Sequence, residues 1–346
     1  MIKVGLIGAG YWGPNLARVL SQSRKCEFVA CCDVNAGNLE KIVHQYPRVK
    51  GFASVDEMLA DVLDAVVIAT PISTHYEIAR KALNAGVHVM VEKPLAHKAS
   101  YAEELASTAL RRGLILATGH TFVYSPPVIK IKEVIDSGSL GDVYYISLSR
   151  VNLGLYQKDV DVLWDLAVHD ISILLFWLDE TPLVATALGR ACVQTHKNDV
   201  AFIWLKFPSG VLAAIEVSWL APQKLRRSII VGSRRMVVYD DTDSNEKVKI
   251  YDRGVILHDP ETFGEFQLTY RMGDMVAPYL ANQEPLVLEV THFLECIETG
   301  EQPKTNGEFG ARVVRVLETV VESIDSRDAA MQETTATSIG GVPGRV

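Results

Sequence analysis

The sequence predicts an α/β chain in two parts: a doubly wound parallel sheet, then an α+β part with a large, mostly antiparallel open sheet. Three observations predict it. Over the first 120 residues, short runs rich in Val and Ile alternate with helix-like stretches. After His120 the apolar runs keep strand composition but are broken by tight turn residues such as Pro208-Ser209-Gly210 and Gly232-Ser233. At 346 residues the chain also exceeds what one hydrophobic core supports, about 250–300 residues.

In the first part, "IKVGLIG", "EFVACCD", "DAVVIAT", "GVHVMVE" and "GLILATG" are the strands. They are apolar along their whole length, as strands covered on both faces are. Helical patterns fall between them at residues 14–22, 35–45, 73–85 and 98–112, and "STHYEIARKALNAG" opens on a Ser/Thr cap and closes on Gly86. In the second part, "NDVAFIWLKFPSGVLAAIEVSW", "KLRRSIIVGSRRMVVYDD" and "NEKVKIYDRGVIL" are joined by turns too short for a crossover, which predicts an antiparallel meander. Helices at about 126–137, 163–178, 285–299 and 308–324 are expected to cover one of its faces. The other face, with Trp204, Phe207, Val217 and Trp219, is expected to be exposed and apolar, which predicts a homodimer or homotetramer. The expected boundaries are 1–121, 122–330 and a flexible tail at 331–346, where "QETTATSIGGVPGRV" has no apolar period.

Composition excludes several classes. Hydrophobic residues make up 48% and charged residues 22%, an ordinary globular balance. A net charge of -8 leaves no basic surplus for phosphate backbones or anionic bilayers, so neither nucleic acid nor membrane is an expected partner. No run approaches the roughly 20 apolar residues of a membrane span. The first apolar run follows Met1 so closely that no cleavable leader is expected, which points to the cytoplasm. Cys26, Cys31, Cys32, Cys192 and Cys296 are odd in number and form no C-x-x-C pair. They read as buried thiols in a reducing compartment, with no structural metal.

The chemistry begins at "KVGLIGAGYWGPNLARVL". Gly8, Gly10 and Gly13 have the spacing G-x-G-x-x-G between a strand and a helix that carries Pro14 in its first turn. In that setting Gly8 makes the tight turn, Gly10 lets backbone approach a pyrophosphate, and Gly13 allows close helix–strand packing. Free N–H groups at the helix start then face the phosphates, with Tyr11 and Trp12 inside the same turn. Asp33 lies twenty residues beyond Gly13, at the end of the second strand, where a carboxylate accepts both ribose hydroxyls. A carboxylate there repels a 2′-phosphate, and Val34-Asn35-Ala36 supply no arginine for one, so NAD is expected rather than NADP. Capping of the next helix is the other role open to Asp33.

Two later strands end in "ATPISTHY" and "VEKPLAHK". Ligands bind beyond the carboxyl ends of strands in such sheets, which brings Thr70, Pro71, His75, Glu92 and Lys93 to the crevice as cofactor-binding candidates. Lys93, between an acid and a proline, reads either as a solvated lysine or as one whose burial brings it into proton-transfer range. In "VLWDLAVHDISILLFWL", Asp165 and His169 are four apart and share one helical face. They fit a helix cap with a satisfied histidine, or an acid that orients a proton-exchanging imidazole.

"GAGYWGPN", "ATPISTHYEIA", "VEKP" and "DLAVHD", in this order, resemble the Gfo/Idh/MocA family of NAD(P)-dependent oxidoreductases of sugars and polyols, over about residues 2–325. The resemblance implies an N-terminal Rossmann domain and a C-terminal domain whose open sheet often mediates oligomerisation. It assigns Lys93 and His169 to proton transfer at the reacting hydroxyl, with Asp165 beside them. "SRVNLGLYQKDVDVLWDLAVHDISIL" and "VSWLAPQKLRRSIIVGSRRMVVYDD" further resemble the branch of sugar-nucleotide 3-dehydrogenases, which implies a small-molecule sugar or sugar-nucleotide substrate and oxidation at C3 for amino-sugar assembly. Arg150, Asn152, Lys224, Arg226 and Arg227 are the candidate donors to such a substrate, the last three also fitting a solvated strand edge. "GHTFVYSP" departs from the family pattern, with Thr121 and Val123 where many relatives carry Arg or Asn. A ketosugar reductase, an inositol or free-sugar dehydrogenase and a non-enzymatic NAD-binding sensor are the alternatives. Lys93, Asp165 and His169 together disfavour the sensor.

Overall fold

A computed structural model describes residues 1–154, 156, 159–193, 195–258 and 267–339. Leu155, Gln157 and Lys158 of the branch-like stretch, and positions 340–346 of the expected tail, lie outside the described residues. The chain divides into two compact units: Met1–Lys132 with Ser172–Phe176 and Leu280–Arg315, and Glu133–Ile171 with Trp177–Tyr279 and Val316–Val346. The expected cut near residue 121 is therefore not the whole division, because later helical segments return to the first unit.

The first unit is built on six strands, β1 (Ile2–Ile7), β2 (Cys26–Cys32), β3 (Lys50–Phe52), β4 (Ala65–Ile68), β5 (His88–Glu92) and β6 (Leu116–Gly119), in the order β3-β2-β1-β4-β5-β6. Every pairing is parallel. The order reverses between β1 and β4, the topological switch point where such sheets open a crevice. Helices α1 (Gly13–Gln22), α2 (Ala36–Gln45), α3 (Val55–Leu59), α4 (Ile72–Asn84) and α5 (Ala99–Arg112) are the crossovers. Val4, Leu6, Val66, Val67, Val89 and Val91 are fully buried, as the unbroken apolar runs require. The short pair β3 and α3 went unpredicted, since three residues are too few to show a period.

Among the described residues the second unit holds eight strands, β7 (Val143–Val151), β8 (Val184–Arg190), β9 (Val200–Lys206), β10 (Leu212–Ser218), β11 (Leu225–Gly232), β12 (Met236–Asp240), β13 (Val248–His258) and β14 (Gln267–Val276), in the order β14-β13-β12-β11-β7-β10-β9-β8. The expected meander is present, and only β7 with β10 runs parallel. The remaining helices are α6 (Pro126–Asp136), α7 (Val168–Leu178), α8 (Pro285–Thr299) and α9 (Gly307–Ile339). Helical backbone in α9 continues through 331–339, where a flexible tail was expected, consistent with the helix formers of "AAMQE".

Two surface expectations need correction. Phe207, Val217 and Trp219 are buried; of the four named residues only Trp204 is exposed, because strict alternation in β9 turns Ala201, Ile203 and Leu205 inward and Phe202 and Trp204 outward. Cys192 is exposed, while the other four cysteines are buried.

Arg150 of β7 and Asp170 of α7 form a buried bidentate ion pair, with Nε and Nη2 donating at 2.8 and 2.9 Å. Removing one partner strands the other charge. Arg150→Met should lower unfolding free energy by about 3–5 kcal/mol in urea titration, and a second change, Asp170→Leu, should recover much of it.

Candidate active site

The turn from β1 into α1 is shaped by absent side chains. Gly8 has φ of +99°, and a Cβ there would stand 2.6 Å from the Ala69 carbonyl oxygen beyond β4. A Cβ on Gly13 would stand 2.4 Å from the Gly8 oxygen. Above Gly10 nothing lies within 4 Å, so the turn is packed beneath and open above. Trp12 occupies the N-cap of α1 but makes no side-chain cap bond, and Pro14 needs none. The helix start thus offers N–H groups to a diphosphate. Tyr11 is exposed beside it.

Asp33 is tied to this turn. Its Oδ2 accepts from Ala9 N at 2.7 Å and its Oδ1 from Asn35 N at 2.7 Å. The cap of α2 is Asn35, whose Oδ1 accepts from Asn38 N, so capping is not the role of Asp33. Each carboxylate oxygen keeps a second lone pair for a ribose hydroxyl. The residues fit NAD: a glycine cradle, an uncapped helix start and a fixed carboxylate.

Beyond β4, Thr70 Oγ1 accepts from Thr74 Oγ1 at 2.7 Å, and Pro71 starts α4 without a side-chain cap. His75 is a correction. It is buried, with Nε2 against Thr70 O and Nδ1 against Pro94 O, both at 2.8 Å, so it ties two strand ends together and has no ring nitrogen left for cofactor. Burial holds its pKa down.

The end of β5 carries Glu92 and Lys93, the latter joined to Pro94 by a cis peptide. Glu92 Oε2 accepts from Lys93 N at 3.2 Å, and Trp12 also bonds to the carboxylate. Burial nevertheless pushes Glu92 up to about 7. His120, after β6, is completely buried, and neither ring nitrogen has a hydrogen-bond partner. Burial, with Lys93 nearby, brings it down to about 3, so it is neutral. Sequence reasoning missed Glu289 of α8, which is buried and accepts from Thr121 Oγ1 at 2.7 Å. The signal was present: Glu289 falls among Leu286, Val290, Phe293 and Leu294 on the buried face of its helix.

In the second unit, Leu163–Ala167 forms a π-helical turn that leads into α7. Asp161 Oδ1 accepts from Leu163 N and Trp164 N at 3.0 and 3.2 Å and so starts that turn. An α-helix was expected here; four residues fall just short of one π turn, so Asp165 and His169 still project from one side. Both are half-buried. Asp165 Oδ2 accepts from Trp219 Nε1 at 3.1 Å, which answers to neither role expected of Trp219 as surface nor of Asp165 as a cap.

Among the substrate candidates, Arg150 is corrected: its guanidinium is buried on Asp170. Arg226 sits opposite it in register and pairs with Asp241 at 3.3 Å. Asp170 of α7 thus matches Arg150, while Asp241 is shared between Arg226 and Lys247, the latter at 3.1 Å. Asn152 bonds through its backbone to Ser218 and Ala221, and Lys224 and Arg227 are exposed.

The first unit is thus a dinucleotide-binding fold with a lysine at a strand end, the arrangement of an NAD-dependent oxidoreductase. The family model for an oxidoreductase family with an NAD-binding Rossmann fold, Gfo/Idh/MocA, matches residues 2–120, and the model for the C-terminal domain of the same family matches residues 128–238. The chain belongs to the Gfo/Idh/MocA family, and it is an NAD-dependent sugar or polyol dehydrogenase. It is 29% identical to UDP-N-acetylglucosamine 3-dehydrogenase of Acidithiobacillus ferrooxidans over 90% of this chain and 94% of that one. The solved structure of that enzyme superposes with a TM-score of 0.78 at 28% identity, covering 94% of this chain and 98% of the other. Myo-inositol 2-dehydrogenase of Thermotoga maritima is 22% identical over 96% of this chain and 99% of its own length. No helix among the described residues is long and apolar enough to cross a membrane.

With Asp33 at the ribose position, NAD should bind at least tenfold more tightly than NADP, about 1.4 kcal/mol. Fluorescence titration should show Asp33→Ala narrowing that gap.

Proposed function

We propose that the chain oxidises a secondary hydroxyl of a sugar nucleotide, at C3, to the 3-keto sugar. The observation that carries this reading is the 29% identity, over nine-tenths of the chain, to a UDP-N-acetylglucosamine 3-dehydrogenase. The 3-keto product suits a transamination that follows in amino-sugar assembly.

NAD, when bound, accepts the hydride from the carbinol carbon. The chain's own residues handle binding and the proton. Gly8 to Gly13 and the start of α1 hold the diphosphate, and Asp33 holds the ribose. Lys93 takes the proton of the reacting hydroxyl, and His169 exchanges it onward. Asp165, fixed by the Trp219 indole, orients a hydroxyl or the imidazole. With Arg150 and Arg226 engaged in ion pairs, exposed Lys224 and Arg227 are the remaining cationic candidates for the substrate diphosphate.

The test is a screen of UDP-sugars, free sugars and inositols with NAD, following NADH absorbance. UDP-N-acetylglucosamine should lead; turnover with inositols alone would replace this reading with polyol oxidation. Replacing Lys93 by Met or His169 by Asn should lower turnover by about 10²–10⁴-fold. NAD affinity, measured by fluorescence titration, should stay near the unmodified value.

We also infer a homo-oligomer. Leu188 faces Phe202, Leu212 faces Tyr145, and Trp204 lies between them, each about half exposed on one sheet face. An apolar face of this kind is covered by a partner. Sedimentation at micromolar concentration should give a mass two or four times the 38.1 kDa of the chain; Trp204→Glu should reduce it toward that value.

A further inference from the structure

The second unit fixes one indole by its backbone and by its ring. Trp219 follows β10 and is 1% exposed. Its N–H donates to Asp199 O at 2.9 Å and its carbonyl accepts from Gly154 N at 3.0 Å, so the residue is pinned between the approach to β9 and the stretch after β7. The Tyr156 ring lies 5.1 Å from the indole, centroid to centroid, and is tilted by 55°. Gly154 lies against the edge of the indole: a Cβ there would stand 2.6 Å from Cδ1. Cδ1 is the ring carbon bonded to Nε1, so the missing side chain leaves room at the edge that donates.

From that edge Nε1 donates to Asp165 Oδ2 at 3.1 Å, across 54 residues of sequence. A buried indole needs an acceptor, and a backbone carbonyl or an amide side chain would serve as well. Here the acceptor is an acid, half-buried on the π turn, four residues before His169. An aspartate side chain turns about two single bonds, and a bond to a ring that is itself held by packing selects one of its orientations.

We propose that Trp219 is a positioning residue for the oxidation: it holds the Asp165 carboxylate in the orientation the reacting sugar requires, and Gly154 admits the indole to that place. The inference rests on the role given to Asp165 above. Without the indole N–H the carboxylate turns, and the hydroxyl or imidazole that it orients turns with it. A misplacement of about 1 Å in a reacting group costs up to about 10²-fold in rate. NAD is held by Gly8 to Gly13 and Asp33 and does not feel the change, so the loss falls on kcat.

Trp219→benzothienylalanine replaces the indole N–H by sulfur and keeps the shape of the ring; Trp219→Phe removes the N–H with part of the ring. With NAD and the sugar that leads the screen above, each should lower kcat by about tenfold and leave KM and NAD affinity within about twofold. Gly154→Ala presses on the same edge with the N–H in place and should lower kcat by a similar factor. Asp165→Ala should lower kcat by about 10²-fold. In that background the three other changes should cost nothing further, because no carboxylate is left to orient. A general loosening of the fold would instead lower kcat in the Asp165→Ala background by the same factor as in the unmodified protein, and that result would overturn the inference. So would a normal kcat in folded Trp219→benzothienylalanine or Gly154→Ala. Failure of the role given to Asp165 shows separately, as near-normal turnover in Asp165→Ala alone, and takes the inference with it.

Discussion

There is no room for a Cβ where β1 ends, and the rest of the first unit takes its position from that fact. Gly8 stands against the backbone at Ala69, and Gly13 stands against Gly8, so β1, α1 and the end of β4 meet at backbone contact. That contact sits at the switch point of the sheet. Ala9, held in the same turn, donates to Asp33 and so fixes a group from the neighbouring strand. A single methyl at either glycine would spread the turn by more than a hydrogen bond tolerates.

Acids in both units are held by neutral donors. Asp33 accepts backbone N–H groups, Glu289 a threonine hydroxyl, Asp161 two backbone N–H groups and Asp165 an indole. Neutral donors orient a carboxyl without supplying a counter-charge, which leaves it able to bond a hydroxyl. The buried and half-buried arginines of the large sheet are treated differently: Arg150 and Arg226 are each matched to an aspartate. The buried pair, Arg150 with Asp170, links β7 to α7.

The parallel sheet and its glycine turn were legible because both rest on local signals, an unbroken apolar run and residues that must lack a side chain. Lys93 was visible by its place at a strand end. Contacts between residues distant in sequence were not. Trp219 and Asp165 are 54 residues apart, and Thr121 and Glu289 are 168 apart. Arg150 read as a free donor because nothing local announces that Asp170 lies against it. The π turn at Leu163–Ala167 was equally hidden, since no apolar period distinguishes it from an α-helical turn. Glu289 could have been found, as a lone acid on the apolar face of a helix.

The reaction proposed for this chain moves hydride from C3 of a sugar nucleotide to NAD. The most direct measurement uses UDP-N-acetylglucosamine deuterated at C3 and the mass of the NADH formed. The account predicts that the reduced cofactor carries the deuterium, with turnover slowed by the label where hydride transfer limits the rate. Unlabelled NADH formed from the same substrate would contradict it.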